Sequence, residues 1–555
     1  MSYFSSKVVA ITALIISLIL YTIIIISILG IEGPTASSFS STKLNHSVRS
    51  LVDQTKPWAF SESQAEQSFI DFDEHENSHD IQVHRQVPRR PNRSIATIDN
   101  THITIINATP YIWRRTGERA YQLKKWATEW PEFVHPGEAT TMQVQLSASW
   151  FPKRSAAEVT YQLENTTVPM SFQVQYREGR RHKVYVQYLE NMRSGGSGQL
   201  SEHNLGFSRS PGGVGFIIAG TEDRFIGANP PINWMQSQLD VVGDFPLHEV
   251  VLPRSHHAGS YKISKLKGVA TPKNTQTQRK PLYEQLVEGG IRVLDIRPSY
   301  HKGRFWESHG NFVAGLWNGM LGASIDDMVT QINRFNKDYP GELIILDIHH
   351  VATSGASFRG LNSLEREKLY AELMKLKYRR NVAVNGDLTR LTLRDFLYNN
   401  NSAVLVRVHS SWIRKGGKFP GAAEGFVTEL NFPVNEYWSD MSDPASMARD
   451  QIAKLEKYSG SRFTPVYRSD WLLTQQGFGV AFPLDSITDL ARGTWRTLHS
   501  ELWPALNDHM YPNWLAMDDI HNAQLKSFVM AVNQCLVAKM CGSLGNKVNG
   551  STIAL

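Results

Sequence analysis

Between residues 240 and 540 the chain switches repeatedly between two hydrophobic rhythms, and this alternation narrows its possible folds more than any other feature. Short apolar runs such as HEVVLPR, IRVLDIRP, ELIILDIHH, SAVLVRV and NWLAMDDI have the length and branched side chains of buried strands. Between them lie SIDDMVTQINRFNKDY, SLEREKLYAELMKLKY, ASMARDQIAKLEKY and AQLKSFVMAVNQCL, whose apolar residues recur at three- and four-residue steps and predict helices. Strands and helices in alternation call for a mainly parallel sheet with helices outside it. The expected class is therefore α/β, and the length suits a TIM-type (β/α) barrel. A doubly wound open sheet is the alternative. None of these strands runs into a glycine-rich dinucleotide fingerprint or a Walker loop, so no nucleotide cofactor is expected.

At 555 residues the chain is longer than one core can organise. Over residues 96–235 the rhythm is period two, in THITIINATPYIW, TTMQVQLSASW, AEVTYQL, MSFQVQY and HKVYVQYL, separated by Gly, Pro and Asn clusters. These segments predict antiparallel strands and a small all-β sandwich. Its role stays open between a binding module for glycan, lipid or a protein partner and a spacer packed on the next domain. Residues 32–95 are rich in Ser, Asp, Glu, His and Gln without a sustained apolar period, which predicts a disordered stalk.

From Val8 to Ile31 there is no charge, and about 20 apolar residues suffice to cross a bilayer as a helix. A cleaved signal peptide has a shorter apolar stretch, so an uncleaved transmembrane signal anchor is expected. Lys7 precedes it, placing residues 1–7 as a short cytosolic tail. The expected location is a single-pass membrane protein with its catalytic domain lumenal or extracellular. Sequons at Asn45, Asn92, Asn107, Asn165, Asn400 and Asn549 agree with a glycoprotein on that side. Only Cys535 and Cys541 occur, the latter opening a C-terminal tail over residues 541–555. They either pair or remain thiols, and neither a cysteine zinc site nor a disulfide-dense scaffold is available. A formal charge of +6 without a Lys/Arg block argues against a nucleic-acid partner and leaves a mild bias toward anionic lipid or phosphate.

In barrels the reacting groups gather at the C-terminal ends of strands. Four segments read as strands ending in titratable residues: LPRSHHAGSY, LDIRPSY, WESHGNF and LDIHHV. Side-chain alternation puts Asp295 with Arg297, Glu307 with His309, and Asp347 with His349, each pair on one face. Two imidazoles on separate strands plus a guanidinium form a toolkit for cleaving a phosphodiester. One imidazole takes the proton of the attacking hydroxyl, the other protonates the leaving oxygen, and the guanidinium neutralises the phosphorane oxygens. The long basic loop YKISKLKGVATPKNTQTQRK is expected over the pocket mouth, where its lysines would attract an anionic headgroup. Trp412 either dips into lipid or packs on the barrel rim.

The series LPRSHHAGSY, GGIRVLDIRPSY, WESHGNF and GELIILDIHHV, in that order, resembles the X-domain of the phosphatidylinositol-specific phospholipase C family. The resemblance covers roughly residues 240–540 and says nothing of residues 1–235. It implies a phospholipase-C-like phosphodiesterase barrel in which His256 is the general base, taking a proton from the inositol 2-hydroxyl to form a cyclic phosphate. His309 is then the general acid. Arg297 matches the phosphate-clamping arginine of the bacterial metal-independent branch, whereas the calcium-dependent branch has an acidic residue there. No calcium or other cofactor is therefore expected, with a histidine-bound metal at the added imidazoles of His349 and His350 as the lesser alternative. Asp295 matches the family's strand-end acid, and Asp518 the late aspartate that orients the base, with Asp519 as the alternative match. Arg407 and Asp470 fall where bacterial members hold the inositol hydroxyls. The family commonly has Asp or Asn after the catalytic histidine; here His257 stands there, expected at the substrate.

The expected activity is that of a phosphoric diester hydrolase acting on a phospholipid or other inositol-containing substrate at a membrane. One alternative is a membrane-anchored lipid- or glycan-binding protein with an inactive barrel. Another is a metal-dependent glycerophosphodiesterase, which would want an arginine after the histidine, and SHHAGS lacks one.

Overall fold

The computed structural model describes residues 100–538, apart from 124, 127–129, 146–154, 179–181, 314–315, 355–358, 382–385, 415–418, 460–464 and 477–482. The expected signal anchor, stalk and C-terminal tail lie outside the described residues. No helix among the described residues is long and apolar enough to cross a membrane.

Eight parallel strands form the central sheet: β1 (Leu252–Ser255), β2 (Val293–Ile296), β3 (Leu343–Ile348), β4 (Ala403–Val408), β5 (Phe426–Thr428), β6 (Val434–Glu436), β7 (Val466–Asp470) and β8 (Trp514–Met517). Their order is β5-β4-β3-β2-β1-β8-β7-β6, so the sheet curls through all eight while β5 and β6 are not hydrogen-bonded to each other. The fold is α/β, a curled parallel sheet open along one seam. β1, β2 and β3 are buried at every position, as strands covered on both faces must be.

Four of the helices between strands carry their own start signals. Ser324 caps α1 (Ile325–Asp338) by accepting from the Asp327 amide, and Asp326 and Asp327 sit in the first turn, where the helix dipole favours negative charge. Asn362 and Glu365 form a reciprocal capping box at the start of α2 (Ser363–Leu373). Asp443 caps α3 (Pro444–Tyr458), whose first residue is proline, and Ser486 with Asp489 boxes α4 (Ile487–Thr497). The last helix, α5 (Gln524–Val537), has Gln524 through Asn533 buried without a break. A helix buried all round is covered from two sides.

WESHGNF does not end a strand of the barrel, as its sequence suggests it would. It lies inside the strand Arg304–Val313, which pairs antiparallel with Leu316–Ser324 in a hairpin between β2 and α1. Around this hairpin Lys265–Lys267, Pro298–His301 and Ala352–Thr353 complete a separate five-stranded sheet. Much of the basic loop is thus fastened, since Lys265–Lys267 pairs with Gly319–Leu321 of the hairpin.

Residues 100–219 build two further sheets. One has four strands in the order Val214–Ala219, Asn100–Ala108, Ala139–Gln145, Lys125–Trp126; the other has six, in the order Phe133–Val134, Trp113–Tyr121, Ala156–Leu163, Met170–Arg177, Lys183–Glu190, Glu202–Gly206. Ile103, Ile105, Phe216 and Ile218 meet Tyr161, Phe172 and Val174 in one apolar core. One pairing departs from the antiparallel expectation: residues 103–108 run parallel to 214–219. Alternate residues of these two strands, Ile106, Ile217 and Ala219, face the other way into the core of the curled sheet. Both faces of these two strands are therefore covered, and the outward face of Val214–Ala219 supplies the second cover of α5. The side chain of Asn107 is enclosed here too: its amide donates to the carbonyls of Tyr111 and Val134, 2.7 and 2.9 Å away, so this sequon is not a glycan acceptor in the folded chain. Cys535, on α5, is disulfide-bonded, and Cys541 lies outside the described residues.

Phe528 is fully buried on α5, with the rings of His499 and Trp503 edge-on at 5.7 and 5.9 Å. Phe528→Ala is expected to destabilise the fold by about 3–5 kcal/mol, because aromatic truncation in a closed core leaves a cavity. Urea unfolding followed by tryptophan fluorescence measures it.

Candidate active site

At the end of β1 the chain turns sharply through His256 and His257. His257 has φ 44°, in the left-handed region that costs a residue with a side chain about 1–3 kcal/mol. Two bonds hold it there: its amide donates to Asp295 Oδ2 at 3.2 Å, and its Nδ1 meets Glu307 Oε1 at 2.9 Å. Gly259 follows because a Cβ there would meet the Cβ of Glu307 at 2.6 Å, so only glycine lets the hairpin approach the turn this closely.

Asp295, at the end of β2 and fully buried, is the centre of the site. Arg297 reaches back from two residues on with Nε and Nη2, each 3.2 Å from a carboxylate oxygen. His349 Nε2 lies 2.8 Å from Oδ1, and Arg254 Nη2 lies 3.5 Å from Oδ2. Burial alone would raise this carboxyl, but Arg297, Arg254 and His349 hold it well below the usual range. Arg254 also donates to Asp347 at 3.1 Å, and Asp347 in turn accepts from Arg407 Nη1 at 2.7 Å. Asp347 is likewise held down, its burial outweighed by Arg407, His349 and Arg254.

His256 Nδ1 is 2.8 Å from Asp518 Oδ1, at the end of β8. The alternative aspartate is occupied elsewhere: Asp519 binds Arg279. His309 Nδ1 is 2.7 Å from the Thr275 carbonyl, an acceptor only, so Nδ1 carries the proton and Nε2 is left for other work. The rings of His256 and His309 are 6.2 Å apart, centre to centre. Burial, then the neighbouring His256, push His309 down to about 3. Burial raises Asp518, against the pull of His256.

His257, expected at the substrate, is instead 1% exposed and stacks beneath His309 at 4.1 Å. Burial, with the charges of Arg297, His309 and His256, holds it well below the ordinary imidazole value, and burial with the nearby Asp295 charge holds Glu307 well above the ordinary carboxyl value. The His257–Glu307 pair is thus a buried, near-neutral shelf under His309. Arg407 lies on β4 and Asp470 at the end of β7. Arg407 also donates from Nε to the Phe432 carbonyl at 3.0 Å, and Asp470 is gripped by Arg468 through Nε and Nη2 at 3.2 and 2.9 Å. Asp470 Oδ1 is buried and has no hydrogen-bond partner among the described residues. Trp412 packs on the rim, 6.2 Å from the Tyr370 ring.

Sequence reasoning missed Arg254, Glu307 as the acceptor for His257, and Thr275. Arg254 was signalled by its place two residues before His256 in LPRSHH, a spacing that side-chain alternation along a strand puts on one face. Thr275 left no signal, since it acts through its backbone. The ligand atoms of His256, His257 and Asp295 lie within 4.8 Å of one another, a spacing open to a metal ion. The donor set fits one poorly. Both oxygens of Asp295 already serve Arg297, and a divalent cation would sit against the charges of Arg297 and Arg254.

An α/β protein with anchored imidazoles, a guanidinium and buried carboxylates at its strand ends has the parts list of a phosphodiester-cleaving enzyme. No family model matches the chain. Curated relatives do: human PI-PLC X domain-containing protein 2 is 26% identical over 207 residues, covering 33% of this chain and 61% of the relative. The mouse protein of the same name is 30% identical over 142 residues, covering 21% and 38%, and bovine PI-PLC X domain-containing protein 3 is 26% identical over 198, covering 32% and 57%. The matches thus span less than two thirds of each relative. Among solved structures, a mutant phosphatidylinositol-specific phospholipase C from Staphylococcus aureus aligns at 17% identity over 55% of this chain and 98% of that one, with a TM-score of 0.39. A second structure of the S. aureus enzyme, from work on its membrane binding, aligns at 16% over 55% and 97%, with a TM-score of 0.40. The curated relatives bear out the resemblance to the phosphatidylinositol-specific phospholipase C X-domain family.

The low value of His309 generates a test. A bound phosphodiester would bring negative charge beside an imidazole that burial keeps neutral, and so would raise its proton affinity and draw in a proton. Calorimetric titration with dimethyl phosphate, which itself stays ionised, in two buffers of different ionisation enthalpy is expected to show uptake near neutral pH. Affinity is expected to fall as pH rises, and His309→Ala to abolish the uptake.

Proposed function

We propose that this chain is a phosphoric diester hydrolase that cleaves a phospholipid headgroup by paired imidazole catalysis, with inositol phospholipids as the first substrate class to examine. The observation that carries this reading is the matched anchoring of the two histidines. Each has Nδ1 tied to a fixed acceptor, Asp518 for His256 and the Thr275 carbonyl for His309, leaving both Nε2 atoms for substrate.

In the first step His256 Nε2 takes the proton of the hydroxyl next to the phosphodiester, and that oxygen bonds to phosphorus. Asp518 steadies the imidazolium that forms. The bond from phosphorus to the lipid oxygen breaks, and the leaving oxygen receives the proton that His309 took up on binding. Arg297, fixed against Asp295, faces the charge that builds on the phosphorane oxygens. A cyclic phosphate and a neutral lipid result. Water then opens the ring with the histidine roles reversed, as microscopic reversibility requires. Anchoring by residues 8–31, with the catalytic unit lumenal or extracellular, would hold the site at a lipid surface; protease protection of sealed microsomes tests that topology.

Phosphorus NMR of the full chain with phosphatidylinositol vesicles and excess chelator is expected to show a cyclic inositol phosphate. Product only after a divalent ion is added would transfer the chemistry to a metal, and silence under both conditions would favour a binding protein. His256→Ala and His309→Ala are each expected to lower kcat by about 10²–10⁴-fold. Near-wild-type turnover in either would overturn the assignment.

A further inference from the structure

The loop after β8 carries Asp518 and then runs through Asp519, Ile520, His521 and Asn522 into α5. Asp519 has φ 54°, so the loop turns through a left-handed residue and needs outside support to stay in that shape. From the barrel side, the Asp519 amide donates to the Thr277 carbonyl at 2.8 Å, and Gln278 Oε1 accepts from the Ile520 amide at 2.9 Å. Trp495 Nε1 donates to the Asp518 carbonyl at 3.1 Å, and its ring meets His521 edge-on at 4.6 Å.

The loop's far end is held by the two-sheet unit, whose residues lie some 300 positions earlier in the chain. Asn522 Nδ2 and Gln524 Nε2 both donate to the Leu205 carbonyl, at 3.0 and 3.2 Å. Gln524 Oε1 accepts from the Gly215 amide at 2.6 Å, a buried bond. Asn522 Oδ1 also accepts from the Gln524 amide at 3.0 Å, tying the two residues into one unit. Leu205 belongs to the six-stranded sheet and Gly215 to the four-stranded one. The approach is close: a Cβ on Gly215 would fall 2.1 Å from the His499 ring, so the strand backbone lies directly on the barrel.

We infer that the two-sheet unit is a positioning element of the active site: through Leu205 and Gly215 it holds Asn522 and Gln524, and so fixes the loop that presents Asp518 to His256. Asn522 and Gln524 are positioning residues, since neither reaches the histidines. The inference rests on the acid–base reading of His256 for its kinetic consequence, whereas the loop's geometry can be tested without turnover.

The test compares Asn522→Ala, Gln524→Ala and a control, Ser527→Ala, in the full chain. Ser527 Oγ, on the body of α5, lies 2.8 Å from the Gly227 carbonyl and 3.0 Å from the Ala523 carbonyl one turn earlier in its own helix, and bonds to neither Leu205 nor Gly215. Two readouts are taken: kcat and KM on phosphatidylinositol vesicles, and the downfield Nδ1 proton resonance of His256 in histidine-labelled protein, identified by its loss in His256→Ala. The loop variants are expected to lower kcat on the order of 10- to 100-fold with KM little changed, as a small misplacement of a reacting group does. They are also expected to move or broaden the His256 resonance, while the control keeps both. An unmoved resonance in both loop variants would overturn the inference, as would equal losses in the control. If wild-type protein shows no turnover, the functional reading fails while the resonance still decides the positioning role.

Discussion

Asp295 is the group on which the site depends. It is buried, ionised and shared among Arg254, Arg297, His349 and the backbone of His257, which come from three different strands and the turn between them. A carboxylate in a dry interior is tolerated only when its charge is met on the spot, and the groups that meet it are thereby locked in place. Arg297 is aimed because Asp295 is fixed. The strained turn at His257 is held because Asp295 takes its amide, and that turn sets the direction in which His256 leaves the strand.

The second tier of order comes from the contacts that fix the histidines themselves. Burial and the neighbouring His256 hold the His309 imidazole down against the Thr275 carbonyl that accepts from its Nδ1, and its ring stacks on His257, which is itself tied to Glu307.

Beyond the pocket, α5 couples the chain's two structural regions. One of its faces closes the curled sheet and the other lies under the four-stranded sheet, whose own residues alternate between the two cores. The two-sheet unit is therefore not a bead on a string. Its strand ends lie within hydrogen-bonding distance of the loop that follows β8, close to the candidate site in space and far from it in sequence.

The parallel sheet, the capped helices and the strand-end residues Asp295, Arg297, His256 and Asp518 were legible in the sequence because each leaves a local imprint. A two-sided strand reads as an unbroken apolar run, a helix as a three-to-four rhythm, and an acid at a strand end as a break in apolarity. The order of four motifs added expected roles to positions. What stayed hidden was everything decided by contact between distant segments: that WESHGNF lies in an antiparallel hairpin, that His257 turns inward to Glu307, that Thr275 serves through its carbonyl, and that Asn522 and Gln524 meet Leu205 and Gly215. Local periodicity reports which face of an element avoids water. Which partner covers that face is set by packing in three dimensions, where burial makes every hydrogen bond obligatory and a single geometry satisfies them together.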